Sequence, residues 1–234
     1  MNYKNLIFDA DHTLIDFDTD EKSAFERTFS HFNAAYTEAD IHRAWVLSYT
    51  VWAEHGLNDI HTEKIQKTFH EEYVNHLPDL FSRIKSELYI PASEAELTRR
   101  FLTELNAQSK VLGNALSFIK TLAERYKICI ATNGLYEMQS SRLQEFLPHT
   151  HAFFVSETLG IIKPNRAFFT GMLTALQAKA EECLFIGDSL TSDVAGANTV
   201  GMDCVWFNPK AKELPEGYTV KGQIEKIEDL QKYL

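Results

Sequence analysis

Apolar and polar positions along this chain fall into two textures. Short unbroken apolar runs ending in polar or turn-forming residues occur at YKNLIFDAD near the N-terminus. They recur only after residue 113, at KICIATNG, AFFVSE, CLFIGDS and CVWFN. Runs of this length, rich in β-branched and aromatic residues, predict strands buried on both faces. Between the later runs the spacing is helical: Leu116, Ile119 and Leu122; the stretch LYEMQSSRLQEF; Phe168, Met172 and Leu176; and SDVAGANTVG. Strand alternating with helix predicts a parallel sheet covered on both sides. Pro209 to Gly217 reads as a surface loop before a final strand and helix.

The segment between the first run and the others carries no strand pattern. Phe25, Phe29 and Phe32 repeat at helical spacing, as do Ile41, Trp45, Tyr49 and Trp52, and Ile65, Phe69 and Tyr73. Each set predicts an amphipathic helix whose aromatic stripe faces a core. Ser93 and Glu96 have capping-box spacing and open a further helix. The expectation is an α/β protein: a Rossmann-like parallel sheet core formed by residues 1–17 and 109–234, with an α-helical cap, residues 18–108, inserted after the first strand. Hinges are expected near 14–19 and 107–113, where the chain crosses between the two.

With 234 residues, 44% of them hydrophobic, the chain can bury a sizeable core. No run approaches the roughly 18 apolar residues of a membrane helix and no signal-peptide pattern opens the sequence, so a cytoplasmic protein without a membrane partner is expected. Cys129, Cys183 and Cys204 each lie in an apolar run without metal-ligand spacing, which reads as buried, reduced thiols. A net charge of −10 argues against a nucleic-acid surface. It also requires that any anionic substrate be attracted by local positive charge.

In open parallel sheets, ligands gather at the carboxyl ends of the strands. The strand ends here carry Asp9 and Asp11, Thr132 and Asn133, Lys163, and Asp188 with Asp193. Singly, each has a plain explanation as a turn residue, a helix cap or a solvated lysine. Together they suit one reaction. A phosphate monoester is dianionic and slow to hydrolyse, so its catalyst must neutralise charge and align a nucleophile. Asp9 would attack phosphorus once Mg²⁺, held by Asp9 and Asp188, and the Lys163 ammonium cancel the repulsion. Thr132, Asn133 and Lys163 would bind the transferring oxygens. Asp11 would protonate the leaving alkoxide and then activate water.

These residues resemble the haloacid dehalogenase-like (HAD) superfamily of hydrolases. DADHT at Asp9–Thr13 is similar to the family's first motif, ATNG around Thr132 to the second, GIIKPN around Lys163 to the third, and GDSLTSD at Gly187–Asp193 to the fourth. The resemblance implies a Rossmann-like core with a strand order different from that of the dinucleotide binders. It implies metal ligation by the Asp9 carboxylate, the Asp11 backbone carbonyl and Asp188, with Asp193 supporting. His12 departs from the pattern, many relatives having Gly or Glu there. Dehalogenases of the superfamily lack an acid at the position of Asp11, so its presence implies an alkoxide leaving group.

The flanks ATNGLYEMQSSRL, SETLGIIKPN and GDSLTSDVAGANTVGM look most like bacterial pyrimidine 5′-nucleotidases of the YjjG type. The implied substrate is a small phosphorylated metabolite, a pyrimidine nucleoside 5′-monophosphate. Trp45, Tyr49 and Trp52 are candidates for a base-stacking face, with core packing as the plainer alternative. The sequence leaves open a sugar-phosphate or phosphoglycolate phosphatase, a sugar phosphomutase, and a non-catalytic binding module. It does not disclose oligomeric state.

Overall fold

The computed structural model describes residues 3–234. Six strands form one sheet: β1 (Asn5–Phe8), β2 (Lys127–Thr132), β3 (Ala152–Val155), β4 (Cys183–Gly187), β5 (Asp203–Phe207) and β6 (Gly222–Ile224). Every neighbouring pair is parallel, and the spatial order is β3-β2-β1-β4-β5-β6. That order corrects one expectation. It is the order of the doubly wound dinucleotide-binding sheet, not a different one. The chain builds outward from β1 through β2 to β3, then returns to the other side of β1 to lay down β4, β5 and β6.

The apolar runs are strands because both of their faces are covered. Successive side chains point to opposite sides. Leu6, Phe8, Ile128, Ile130, Leu184 and Ile186 pack on one side with Phe118 and Ile119. Ile7, Cys129, Ala131, Cys183 and Phe185 pack on the other with Phe168, Phe169 and Met172. All three cysteines are free and buried within the second layer.

The chain divides into two compact units. One runs up to Asp16 and resumes at Val111–Leu234; the other is Phe17–Lys110. The second unit consists of α1 (Phe17–His31), α2 (Glu38–Glu54), α3 (Glu63–Glu87) and α4 (Glu94–Asn106). The Ser93–Glu96 capping box is formed, and a matching one joins Thr37 to Asp40 at the start of α2. Phe25, Phe81 and Phe101 build its core, with the Phe25 and Phe101 ring centroids 4.7 Å apart.

Two helical readings change. Phe32 lies beyond the end of α1 and is only half-buried. On α2 the buried face is Ile41, Ala44, Ser48 and Val51, whereas Trp45 is half-buried and Tyr49 is 47% exposed. Trp52, by contrast, packs against Phe69, Tyr73 and His76 of α3, with ring centroids 5.3–6.0 Å apart.

The remaining helices of the sheet unit are α5 (Ala115–Leu122), α6 (Tyr136–Arg142), α7 (Ser156–Leu159), α8 (Arg166–Leu176) and α9 (Ala195–Thr199), the last preceded by a wide turn over Leu190–Val194. The expected C-terminal helix is a 3₁₀ segment, Ile227–Tyr233. No helix among the described residues is long and apolar enough to cross a membrane.

Candidate active site

Asp9 follows β1 directly, and Asp188 follows β4, its neighbour in the sheet. The ladder continues one step past the strand, the Asp9 N–H donating to the Ile186 carbonyl at 2.8 Å. This edge is where the strand order reverses, the place an open sheet leaves for a ligand. The Trp206 indole N–H donates to the Asp188 carbonyl at 2.8 Å and fixes that turn.

Lys163 reaches the same point from the segment before α8. Its ammonium is buried and donates to Asp9 Oδ1 at 2.6 Å, to Asp193 Oδ1 at 2.7 Å and to the Ala131 carbonyl at 2.9 Å. All three donor positions of the ammonium are thereby used. Burial works against its charge, but Asp193 and Asp9 outweigh it and raise the lysine above its usual range, so it stays an ammonium.

Asp193 is wholly buried and also accepts from the Ser189 N–H at 3.1 Å. It fits because residue 187 is glycine: a Cβ there would lie 2.2 Å from Asp193 Oδ2. Asn133 turns its side chain to the same loop, donating to the Lys163 carbonyl at 3.0 Å and accepting from the Lys163 N–H at 2.8 Å. Its amide is thus a brace for Lys163.

Asp9, Asp188 and Asp193 offer carboxylate oxygens that all lie within 4.8 Å of one another. Burial and mutual repulsion push Asp9 up to about 7, Lys163 only partly offsetting this, and raise Asp188 well above the usual carboxylate range. A crowded set of hard oxygen donors with this electrostatic deficit fits a hard divalent cation such as Mg²⁺.

Asp11 is shifted in the opposite direction from this cluster. Burial would raise it, but the Arg142 guanidinium, with hydrogen bonds from Gln139 and Arg142, holds its carboxyl below the usual range. Gln139 Nε2 donates to Asp11 Oδ2 at 2.7 Å and to the Thr132 hydroxyl at 2.9 Å, and Arg142 donates to Asp11 Oδ1 at 2.5 Å. His12 occupies a left-handed turn, φ 60°, with its N–H donating to the Ile15 carbonyl at 2.7 Å. Glycine adopts that backbone at lower cost than histidine.

Asp9, Asp11, Thr132, Asn133, Lys163, Asp188 and Asp193 all belong to the sheet unit. Gln139, Arg142 and Gly187 were not singled out by the sequence reading. The available signal was a Gln and an Arg three residues apart on the helix that follows TNG, a spacing that puts both on one face.

Residues 3–201 match the sequence profile of the haloacid dehalogenase-like hydrolases. The pyrimidine 5′-nucleotidase PynA of Streptococcus pneumoniae is 34% identical over 214 residues, covering 89% of this chain and 85% of that protein. The pyrimidine 5′-nucleotidase YjjG of Escherichia coli is 24% identical over 237 residues, covering 100% and 99%. Among solved structures, the magnesium-bound HAD-hydrolase YfnB of Bacillus subtilis, described as showing interdomain movement, superposes with a TM-score of 0.84 at 27% identity, covering 100% of this chain and 99% of that one.

Proposed function

We propose, from the premise that this chain belongs to the haloacid dehalogenase-like hydrolases, that it is a Mg²⁺-dependent phosphatase of pyrimidine nucleoside 5′-monophosphates acting through an aspartyl phosphate on Asp9. The observation that carries the reading is the pair of carboxylates at the end of β1 in opposite environments. Asp9 is buried beside Asp188 and bound to Lys163; Asp11 is held as a carboxylate by Arg142. The Arg142 pairing favours the carboxylate form of Asp11, the form that takes a proton from attacking water, and the raised value of Asp9 is what a cation bound beside it would bring down.

Asp9 and Asp188, with the Asp11 backbone carbonyl, would hold the ion, and Asp193 would keep Lys163 in place. When bound, Mg²⁺ supplies positive charge that lets two anions meet. An Asp9 oxygen attacks phosphorus, and the bond from phosphorus to the ester oxygen breaks. Asp11, which takes up a proton against its pairing with Arg142, gives that proton to the leaving alkoxide. Lys163 and the Thr132 hydroxyl stabilise the charge on the transferring oxygens. Asp11, now a carboxylate, takes a proton from water as the water attacks phosphorus. The bond from Asp9 to phosphorus breaks, releasing inorganic phosphate and restoring both groups. Residues 18–108 act as the cap in this reading, with residues 1–17 and 109–234 as the catalytic core.

The pyrimidine assignment is supported by the names of the two nucleotidase relatives and by the marginal rings of α2. Trp45 and Tyr49 lie 5.3 Å apart, centroid to centroid, and the Lys22 ammonium sits 3.7 Å over the Trp45 ring. A half-buried and an exposed ring with an adjacent cation suit an anionic nucleotide with a flat base. Phosphate release from a panel of nucleoside and sugar monophosphates, with Mg²⁺ and then EDTA, tests both parts. Metal-dependent release favouring pyrimidine nucleotides is expected. Release confined to sugar phosphates would remove the nucleotidase assignment, and no release from any ester would remove the phosphatase.

A further inference from the structure

Helix α6 contributes two buried side chains to which the reaction so far assigns no part. Gln139 and Arg142 are 0% and 1% exposed and lie one helical turn apart. Both end on Asp11, each on a different carboxylate oxygen, at 2.7 and 2.5 Å. A glutamine amide nitrogen carries two hydrogens, so Gln139 can serve Asp11 and the Thr132 hydroxyl, 2.9 Å away, at once. The glycine of the TNG turn makes room for it: a Cβ on Gly134 would lie 3.1 Å from Gln139 Nε2 and 3.2 Å from its Cγ.

A fully buried guanidinium is a poor choice for stability alone, because apolar residues of similar volume are often no less stabilising than a buried ion pair. Its value here is geometric. A carboxyl free to rotate about its last bond presents its oxygens in many directions, whereas proton transfer needs one oxygen aligned on the ester bridge. Two donors on two oxygens remove that rotation.

We infer that Gln139 and Arg142 are positioning residues of the reaction. They fix the orientation of the Asp11 carboxyl, and Gln139 sets its distance from the Thr132 hydroxyl, which faces the transferring oxygens. The inference rests on the phosphatase reading above.

The test compares two esters that differ in their need for a proton. One is the alkyl monophosphate that the panel shows to be turned over best. The other is p-nitrophenyl phosphate, whose phenolate leaves unprotonated. The constant kcat/KM covers only steps through departure of the alcohol, so breakdown of the phosphoenzyme does not enter. In Gln139→Leu and Arg142→Met, kcat/KM for the alkyl ester should fall by about ten- to a hundredfold, as misplacement of a catalytic group predicts, while that for the aryl ester falls by less than about threefold. In an Asp11→Asn background the same substitutions should cause no further loss on the alkyl ester.

Equal losses on the two esters, or losses that persist undiminished in Asp11→Asn, would assign both side chains a structural role only and overturn the inference. If Arg142→Met does not fold, Gln139→Leu, which keeps the Arg142–Asp11 pair, and Gly134→Ala, which displaces the amide, decide by the same criterion. Failure of the unaltered protein to hydrolyse either ester would instead overturn the phosphatase reading and this role with it.

Discussion

Lys163 shows how this site stores charge. One ammonium holds two carboxylates, Asp9 and Asp193, while Asp188 adds a third at the same strand ends. The excess negative charge has a consequence for stability. Burial raises Asp9 from 3.8 to about 7, and Asp188 is raised as well. A carboxyl with a higher value folded than unfolded binds its proton more tightly in the native state. Its contribution to stability is full below about 3.8 and is lost as pH rises through about 7. Melting in EDTA should therefore show a lower Tm at pH 8 than at pH 5.5. Millimolar Mg²⁺ should raise Tm more at pH 8, where it meets ionised carboxylates, than at pH 5.5. A Mg²⁺ shift independent of pH would contradict the assignment of Asp9 and Asp188 as its ligands.

At this scale the sequence disclosed the residues that directly follow apolar runs, because a polar group at the end of a buried strand has one direction to go. Gln139 and Arg142 stayed hidden for a physical reason. In LYEMQSSRLQEF most positions are polar, so the shared face of Gln139 and Arg142 is one of several polar faces and does not by itself say which turns inward to meet a carboxylate on another strand.

At the scale of elements, strands were legible because each is buried on both faces and reads as a continuous apolar run. Strand order was not, since parallel neighbours are joined through helices and no local signal marks which strand lies beside β1. The stripe on α2 misled for a different reason. Large aromatics at helical spacing look like a core face, yet Ala44 and Ser48 form the buried side. Tyr49 lies outside it, its hydroxyl 2.5 Å from Asp18 Oδ1. Trp52 packs on α3, whereas Trp45 and Tyr49 lie outside the buried face. If the latter two rings stack on a nucleobase, Trp45→Ala should raise KM for a pyrimidine nucleotide by about five- to a hundredfold, the range of one lost stacking contact, with KM for p-nitrophenyl phosphate nearly unchanged. Steady-state kinetics on the two substrates check this; equal changes in both would remove Trp45 from base recognition.

For the whole molecule, two facts act together. The chain leaves the sheet unit after Asp16 and re-enters it at Val111. The net charge is −10 although the proposed substrate is itself anionic. The long-range field therefore opposes encounter, and attraction is left to local charges, among them the Lys163 ammonium and the ion proposed to bind Asp9 and Asp188. Raising ionic strength from about 0.01 M to about 0.15 M shortens the Debye length from roughly 30 Å to roughly 8 Å and screens the repulsion. Where encounter limits the rate, kcat/KM for the nucleotide should rise over that range; a steep fall would show that an extended positive surface steers the substrate.

The central claim is that Asp9 carries the phosphoryl group, and acid quenching during turnover of a labelled monophosphate, followed by peptide mapping, tests it most directly. The account predicts label on the peptide containing Asp9, absent in Asp9→Asn, with turnover in that variant reduced by several orders of magnitude. Rapid turnover without label on that peptide, or undiminished hydrolysis by Asp9→Asn, would contradict it.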